Sequence, residues 1–130
     1  MTRLSTTALA ALVFAALSGA LGVTLGAWAA HGLPEGVNRL AETASRYALF
    51  HAGAMIGAAL LLDRIGEGWP RRLTALTLVL FALGIVLFSG ALAFAAIGIA
   101  TGAAPLGGTA LIAAWITLAG AAATALRRRD

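Results

Sequence analysis

Five residues close together in this chain carry groups that can move protons, hold anions or ligate metals. They are His31, Glu42, Arg46, Tyr47 and His51, all within GAWAAHGLPEGVNRLAETASRYALFHAGAMIG, residues 26–57, which holds both histidines of the protein. Glu42 precedes Arg46 by four residues, the favourable order for an ion pair along a helix. Tyr47 and His51 have the same spacing on a neighbouring stripe. Histidine titrates near neutral pH, so a nearby carboxylate could hold or pass its proton. An arginine could hold an anionic headgroup or carboxylate, with Glu42 orienting it and the histidines donating hydrogen bonds.

Four kinds of role compete for these residues. In the structural one, Glu42 and Arg46 pair, Arg46 snorkels, and the histidines bond backbone carbonyls. Its cost is low because charges near a membrane interface are much cheaper than charges at the centre. In the second, His31, His51, Glu42 and Arg46 form a small proton-coupled transporter or channel. No acidic residue within the apolar runs supports a cation pump. In the third, two histidines on facing helices ligate haem or a metal. With no cysteine, a third ligand would have to be Glu42, and His31 lies too near the surface to match His51 in depth. No metal and no cofactor are therefore expected. The fourth is catalysis through Ser45 or Ser89 with a histidine. Ser45 faces away from His51 on a helix, and a mid-helix Ser89 more simply bonds a carbonyl of its own helix. No carboxylate pair, phosphate loop or metalloprotease motif appears, so no catalytic residue is assigned and the chain is not expected to be an enzyme. A structural, lipid-binding or small-ligand-binding role is the expectation.

The elements around this stretch are apolar. Hydrophobic residues make up 61% of the 130 and charged residues 11%, against about 25% charged in soluble domains. Mean hydropathy is +0.95. So few charges cannot coat a soluble surface, and lipid must be the solvent. The formal charge of +4 comes from nine arginines against five acids, with no lysine. The arginines sit at the ends of apolar runs, where membrane topology places them. They do not form a basic face interleaved with aromatics, so nucleic acid is not an expected partner.

The expected fold is all-α, a four-helix transmembrane bundle in one domain over 1–130, with helices at about 8–30, 38–62, 73–100 and 109–126. The first run exceeds the 7–15 residues of a signal-peptide core, so it is expected to be retained despite a cleavage-like Ala27-Trp28-Ala29. Pro34 suits the first turn of a new helix. DRIGEGWPRR, residues 63–72, reads as a polar loop with Trp69 as interfacial anchor. Thr101–Gly108, with Pro105 and paired glycines, reads as a tight turn. Ser18, Gly22, Gly26 and Ala30 recur every fourth residue, and Gly53 and Gly57 make a second small face. Such faces let helices approach closely, within the chain or in a homo-oligomer. Arg3, Arg64, Arg71, Arg72 and Arg127–Arg129 fall on one side of a four-span topology, and only Arg39 and Arg46 on the other. The positive-inside rule then puts both termini in the cytoplasm. Membrane lipids are the expected partners.

LGAWAAHGL (25–33), ETASRYALFHA (42–52), LFSGALA (87–93) and APLGGTALIAAW (104–115) run in order along the chain. In these pieces it resembles the YgdD/YwdK family of small bacterial membrane proteins, domain of unknown function 423. Ala29 departs from the family pattern, which usually has Gly there. The resemblance implies a four-helix inner-membrane protein. It implies no activity, substrate or catalytic residue.

Overall fold

The computed structural model describes residues 3–128. Four helices are long and apolar enough to cross a membrane: α1 (Thr6–His31), α2 (Asn38–Leu62), α3 (Trp69–Ala96) and α4 (Ala104–Leu126). The all-helical class and the span of α2 agree with the sequence reading. The main differences lie in α3 and α4. Pro70 stands in the first turn of α3, which therefore starts four residues before the expected 73. The helix stops at Ala96 because Gly98 takes a left-handed φ of +85°. Pro105 likewise stands in the first turn of α4, so this helix starts at 104 and not at 109. The turn is Ile97–Ala103, and Gly107 and Gly108 belong to the helix.

α1 packs along α2 and α3 along α4, giving two antiparallel hairpins. α2 joins them by also touching α3, whereas α1 and α3 barely meet. The buried positions of α1 are Ala8, Ala11, Ala15, Ser18, Gly22, Leu25 and Ala29. These alternate steps of three and four, the 3.5-residue repeat of a left-handed supercoil. Ala30 is exposed, contrary to the every-fourth stripe. At about 100° per residue, a strict step of four drifts some 40° each time, so a stripe begun at Ser18 has left the interface by Ala30. The opposing stripe of α2 includes Ala41, Ala44, Ala48, Ala52, Met55 and Ala59.

Glycines set the closest approaches. A Cβ at Gly22 would meet Leu49 Cγ at 2.8 Å, and one at Gly26 would meet Ser45 Oγ at 2.9 Å. Through this gap Ser45 Oγ donates a buried hydrogen bond of 2.6 Å to the Gly22 carbonyl. In the second hairpin a Cβ at Gly84 would strike the Leu111 side chain. One at Gly107 would strike the backbone of Phe88, with Leu87 C at 2.7 Å. The Thr77 and Thr117 hydroxyls also meet there at 2.8 Å. Gly53 and Gly57 behave otherwise: both are exposed, and an added Cβ would meet nothing within 4 Å. Of the two small faces on the first hairpin, only that of Gly22 and Gly26 packs within the chain.

The start of α1 and the end of α4 lie at one end of the bundle, where Asp63 ties three elements together. Its Oδ2 accepts from the Ser5 backbone N–H at 2.6 Å, and its Oδ1 from Arg71 Nη1 at 3.1 Å. Arg71 Nη1 also donates to the Leu62 carbonyl at 2.9 Å, one of the carbonyls left open by the end of α2. Arg128 Nη1 donates to the Glu67 carbonyl at 2.6 Å. Gly68 makes room for it, since a Cβ there would meet Arg128 Nη2 at 2.7 Å. Arg72 lies over the Trp69 ring at 5.7 Å. Arg129 lies outside the described residues.

Two outcomes follow for stability. Gly22→Val and Gly107→Val are expected to cost about 1–3 kcal/mol each by overpacking, whereas Gly53→Val and Gly57→Val should stay within about 0.5 kcal/mol; tryptophan-monitored unfolding in mixed micelles measures both. The hydrogen bond from the Ser5 backbone outweighs the opposing effect of burial and, with smaller help from the Ser5 side chain and from the bond and charge of Arg71, holds the Asp63 carboxyl below the usual carboxylate range. A depressed folded-state pKa means that this stabilisation is present above about pH 4, the unfolded value. It disappears as pH falls through the lower folded value. Asp63→Asn should therefore lower stability at pH 7 and flatten its decline below pH 4 in the same assay.

Candidate functional site

The elbow between α1 and α2 is short. Gly32 N–H closes α1 on the Trp28 carbonyl at 2.8 Å, and Gly36 turns the chain with φ +93°. Asn38 Oδ1 accepts from Gly36 N–H at 3.2 Å. α2 then carries Glu42, Arg46, Tyr47 and His51 on successive turns.

Arg46 Nη2 donates to Glu42 Oε1 at 3.0 Å, and both side chains are largely exposed, at 72% and 57%. Such a pair contributes only about 0.3–0.5 kcal/mol in water. Its value here is to present a neutral unit where α2 enters the apolar layer. One of the five guanidinium donors is engaged by this contact, leaving others for an anion.

His51 is buried. It lies 13 residues beyond Asn38 in a 25-residue helix, so it stands near mid-span. Its Nδ1 is 2.8 Å from the Tyr47 carbonyl. A carbonyl can only accept, so Nδ1 bears the proton, and Nε2 of the neutral ring is an acceptor. His51 thus offers a ligand an acceptor, where the sequence reading had it donate. Four rings surround it: Tyr47 at 5.6 Å, Phe50 at 5.4 Å, Phe81 of α3 at 5.7 Å and Trp115 of α4 at 6.2 Å between centroids. Tyr47 also contacts Phe88 at 4.5 Å. This aromatic cluster is a seam between the hairpins. That Phe50, Phe81, Phe88 and Trp115 meet here was not legible in the sequence, because their meeting depends on inter-helix register.

Arg46, Tyr47, Phe50 and His51 line one cleft of about 340 Å³. Three of them are exposed, so the cleft opens on the flank of the bundle. Glu42 reaches it only through its pair with Arg46. His31 is apart. It is exposed at the last residue of α1. The register of the first hairpin, with Gly22 against Ser45 and Leu49, puts it level with the first turn of α2. That is roughly 18 Å along the axis from His51, at 1.5 Å per residue. The two histidines cannot serve as facing ligands of one haem. Among the described residues no three His, Cys, Asp or Glu side chains group as metal ligands.

Ser45 is engaged with Gly22, as described. Ser89 is buried without a hydrogen-bond partner and does not bond its own helix.

Four apolar spans in two hairpins, with a cleft on the flank, define a small multi-pass membrane protein. The chain belongs to the family described as Protein of unknown function (DUF423), whose model matches residues 25–108. It is 37% identical to a UPF0382 membrane protein of Haemophilus influenzae over 115 residues, covering 83% of this chain and 89% of that one. It is 36% identical to the UPF0382 membrane protein YwdK of Bacillus subtilis, covering 85% and 94%. It is 34% identical to the UPF0382 inner membrane protein YgdD of Escherichia coli, covering 80% and 82%. No solved structure matches. The location is the inner membrane.

Proposed function

We propose that this protein is a binding component of the inner membrane and not an enzyme, and that its flank cleft holds an amphiphile with an anionic head. The observation that carries this reading is the convergence of Arg46, Tyr47, Phe50 and His51 on one laterally open cleft. Arg46 supplies charge-assisted donors to a phosphate or carboxylate, displacing Glu42 from a weak exposed pair. Tyr47 and Phe50 provide apolar walls for the body of the ligand. His51 Nε2 accepts a hydrogen bond from a hydroxyl deeper in the cleft. Binding is favoured over catalysis because the Ser45 hydroxyl and the His51 Nδ1 proton are each engaged by backbone carbonyls. Neither is disposed as half of a nucleophile–base pair. A transporter using both histidines gains no support from their separation in depth.

Both termini are assigned to the cytoplasm, which places the elbow and the mouth of the cleft on the outer side. Six of the described arginines, at the end where α1 starts and α4 stops, against two at the other support this.

Native mass spectrometry from nanodiscs containing phosphatidylglycerol and phosphatidylcholine tests the binding. Wild type should retain phosphatidylglycerol preferentially. Arg46→Gln should lower that preference about tenfold, the equivalent of one charge-assisted hydrogen bond of about 1.5 kcal/mol. Equal retention by the two proteins would refute the site. Orientation is checked by fusing alkaline phosphatase to the C-terminus, expected to be inactive, and a fluorescent protein at the same point, expected to be bright. The opposite pair of results would invert the topology.

A further inference from the structure

A second opening lies at the far end of the bundle from the elbow, between the end of α2 and the last turns of α4. Its volume is about 550 Å³. The two helices scarcely touch, because Phe50 and His51 of α2 meet Trp115 of α4 ring to ring and hold the backbones apart. Two turns further along, α4 contributes Ala122 and Ala125, too small to close the gap. Leu61 and Leu126 extend the apolar walls. Arg64, just past α2, and Arg128, just past α4, line the same cavity.

This end of the bundle carries six of the described arginines, and only these two line the opening. Arg71 is taken up by Asp63 and the Leu62 carbonyl, and Arg72 lies over the Trp69 ring. Arg3 and Arg127 stand outside it. Arg128 is held in place by backbone. Its Nη1 donates to the Glu67 carbonyl at 2.6 Å, and Gly68 leaves the room its guanidinium occupies. A guanidinium has several donors, and this bond occupies one. Among the described residues neither Arg64 nor Arg128 pairs with a carboxylate, since the ion pairs are Glu42 with Arg46 and Asp63 with Arg71. Two like charges that share a cavity repel, and an anion between them is attracted by both.

We propose that this cavity binds an anionic phospholipid, its phosphate held by Arg64 and Arg128 and one acyl chain entering between α2 and α4 past Ala122 and Leu61. Basic pockets between membrane helices take such headgroups. The apolar wall from Ala122 to Leu126 runs about 6 Å along α4 at 1.5 Å per residue, enough for the first part of a chain whose remainder lies in the bilayer. A zwitterionic lipid fits less well, because its cationic group would be brought beside two guanidiniums. A free phosphate would meet the same donors and leave the apolar walls uncovered. Arg46 stands about 24 Å from the end of α2 at 1.5 Å per residue. The site is therefore separate from the flank cleft, and either can fail without the other.

Native mass spectrometry of the Arg46→Gln protein, from nanodiscs of phosphatidylglycerol and phosphatidylcholine, reads this site with the flank cleft disabled. That protein is expected to retain phosphatidylglycerol preferentially. Adding Arg64→Gln should lower the preference about tenfold, the loss of one charge-assisted contact. Arg64 is exposed and pairs with no described carboxylate, so this variant should fold as its parent does. Adding Arg3→Gln or Arg127→Gln removes the same charge from the same end outside the cavity and should leave the preference nearly unchanged. Adding Ala122→Trp at an exposed position fills the apolar part, keeps both arginines and should release the lipid. No preference in the Arg46→Gln protein, or a preference that survives Arg64→Gln, would overturn the proposal. An equal fall with Arg3→Gln or Arg127→Gln would overturn it in favour of general attraction to a basic surface. Retention untouched by Ala122→Trp and abolished by excess inorganic phosphate would overturn it in favour of a free phosphate.

Discussion

Lipid tails are as apolar as leucine, so burying hydrocarbon between two helices in a membrane gains little over leaving it in the bilayer. Association must come from dispersion at close range and from hydrogen bonds across the interface. That constraint makes the distance between helix backbones the controlling quantity. Gly22 and Gly26 set it for the first hairpin, and Gly84 and Gly107 for the second. The bond from Ser45 to the Gly22 carbonyl exists only because no Cβ stands between them. Such bonds average about 0.6 kcal/mol in membrane proteins, so it fixes register more than it adds stability.

Close zipping within hairpins has a geometric consequence between them. Where α2 meets α3 and α4, the space is filled by large rings, Phe81, Phe88 and Trp115 around His51 and Tyr47. Where α1 faces α3, nothing large enough fills it, and a cavity remains. The flank cleft and this cavity are by-products of one packing rule, small residues inside the hairpins and bulky ones at the seam. They differ in chemistry because one seam borders the charged turn of α2 and the other borders the π-turn of α3 at Ile85–Ser89.

Much of this was legible from composition and run length. An 11% share of charged residues leaves no alternative to lipid as solvent, and α2 begins and ends where its helical pattern does. The glycine faces were legible only in part. A small-residue stripe says where a helix could come close, and Gly22 and Gly53 look alike in the sequence. Which of them meets a partner depends on the rotation of each helix, which the 3.5-residue repeat of alanines sets. Pro105 and Gly107 misled for a related reason. Pro and Gly together suggest a turn, yet Pro105 starts α4 and Gly107 is there for contact with the Phe88 backbone. Of the five polar residues, three share a cleft, Glu42 joins through Arg46, and His31 does not. Sequence proximity across an elbow exaggerates closeness, because antiparallel helices carry residues apart in depth as fast as the chain moves away from the turn.

Hydroxyl groups show how tightly the membrane disciplines such a chain. Six threonines bond the carbonyl one turn back, which satisfies the oxygen without asking anything of a neighbour. Departures from that habit coincide with features that matter to the fold. Ser45 reaches across to α1 and sits at its closest approach. Thr77 keeps its bond to the Leu73 carbonyl and adds a second contact, meeting the Thr117 hydroxyl across α3 and α4, the second zipped interface. Ser89 reaches nothing and borders the cavity between α1 and α3. In a medium that supplies no hydrogen bonds, an oxygen that forgoes its own helix finds a partner across an interface, as Ser45 does, or stays unpaired, as Ser89 does.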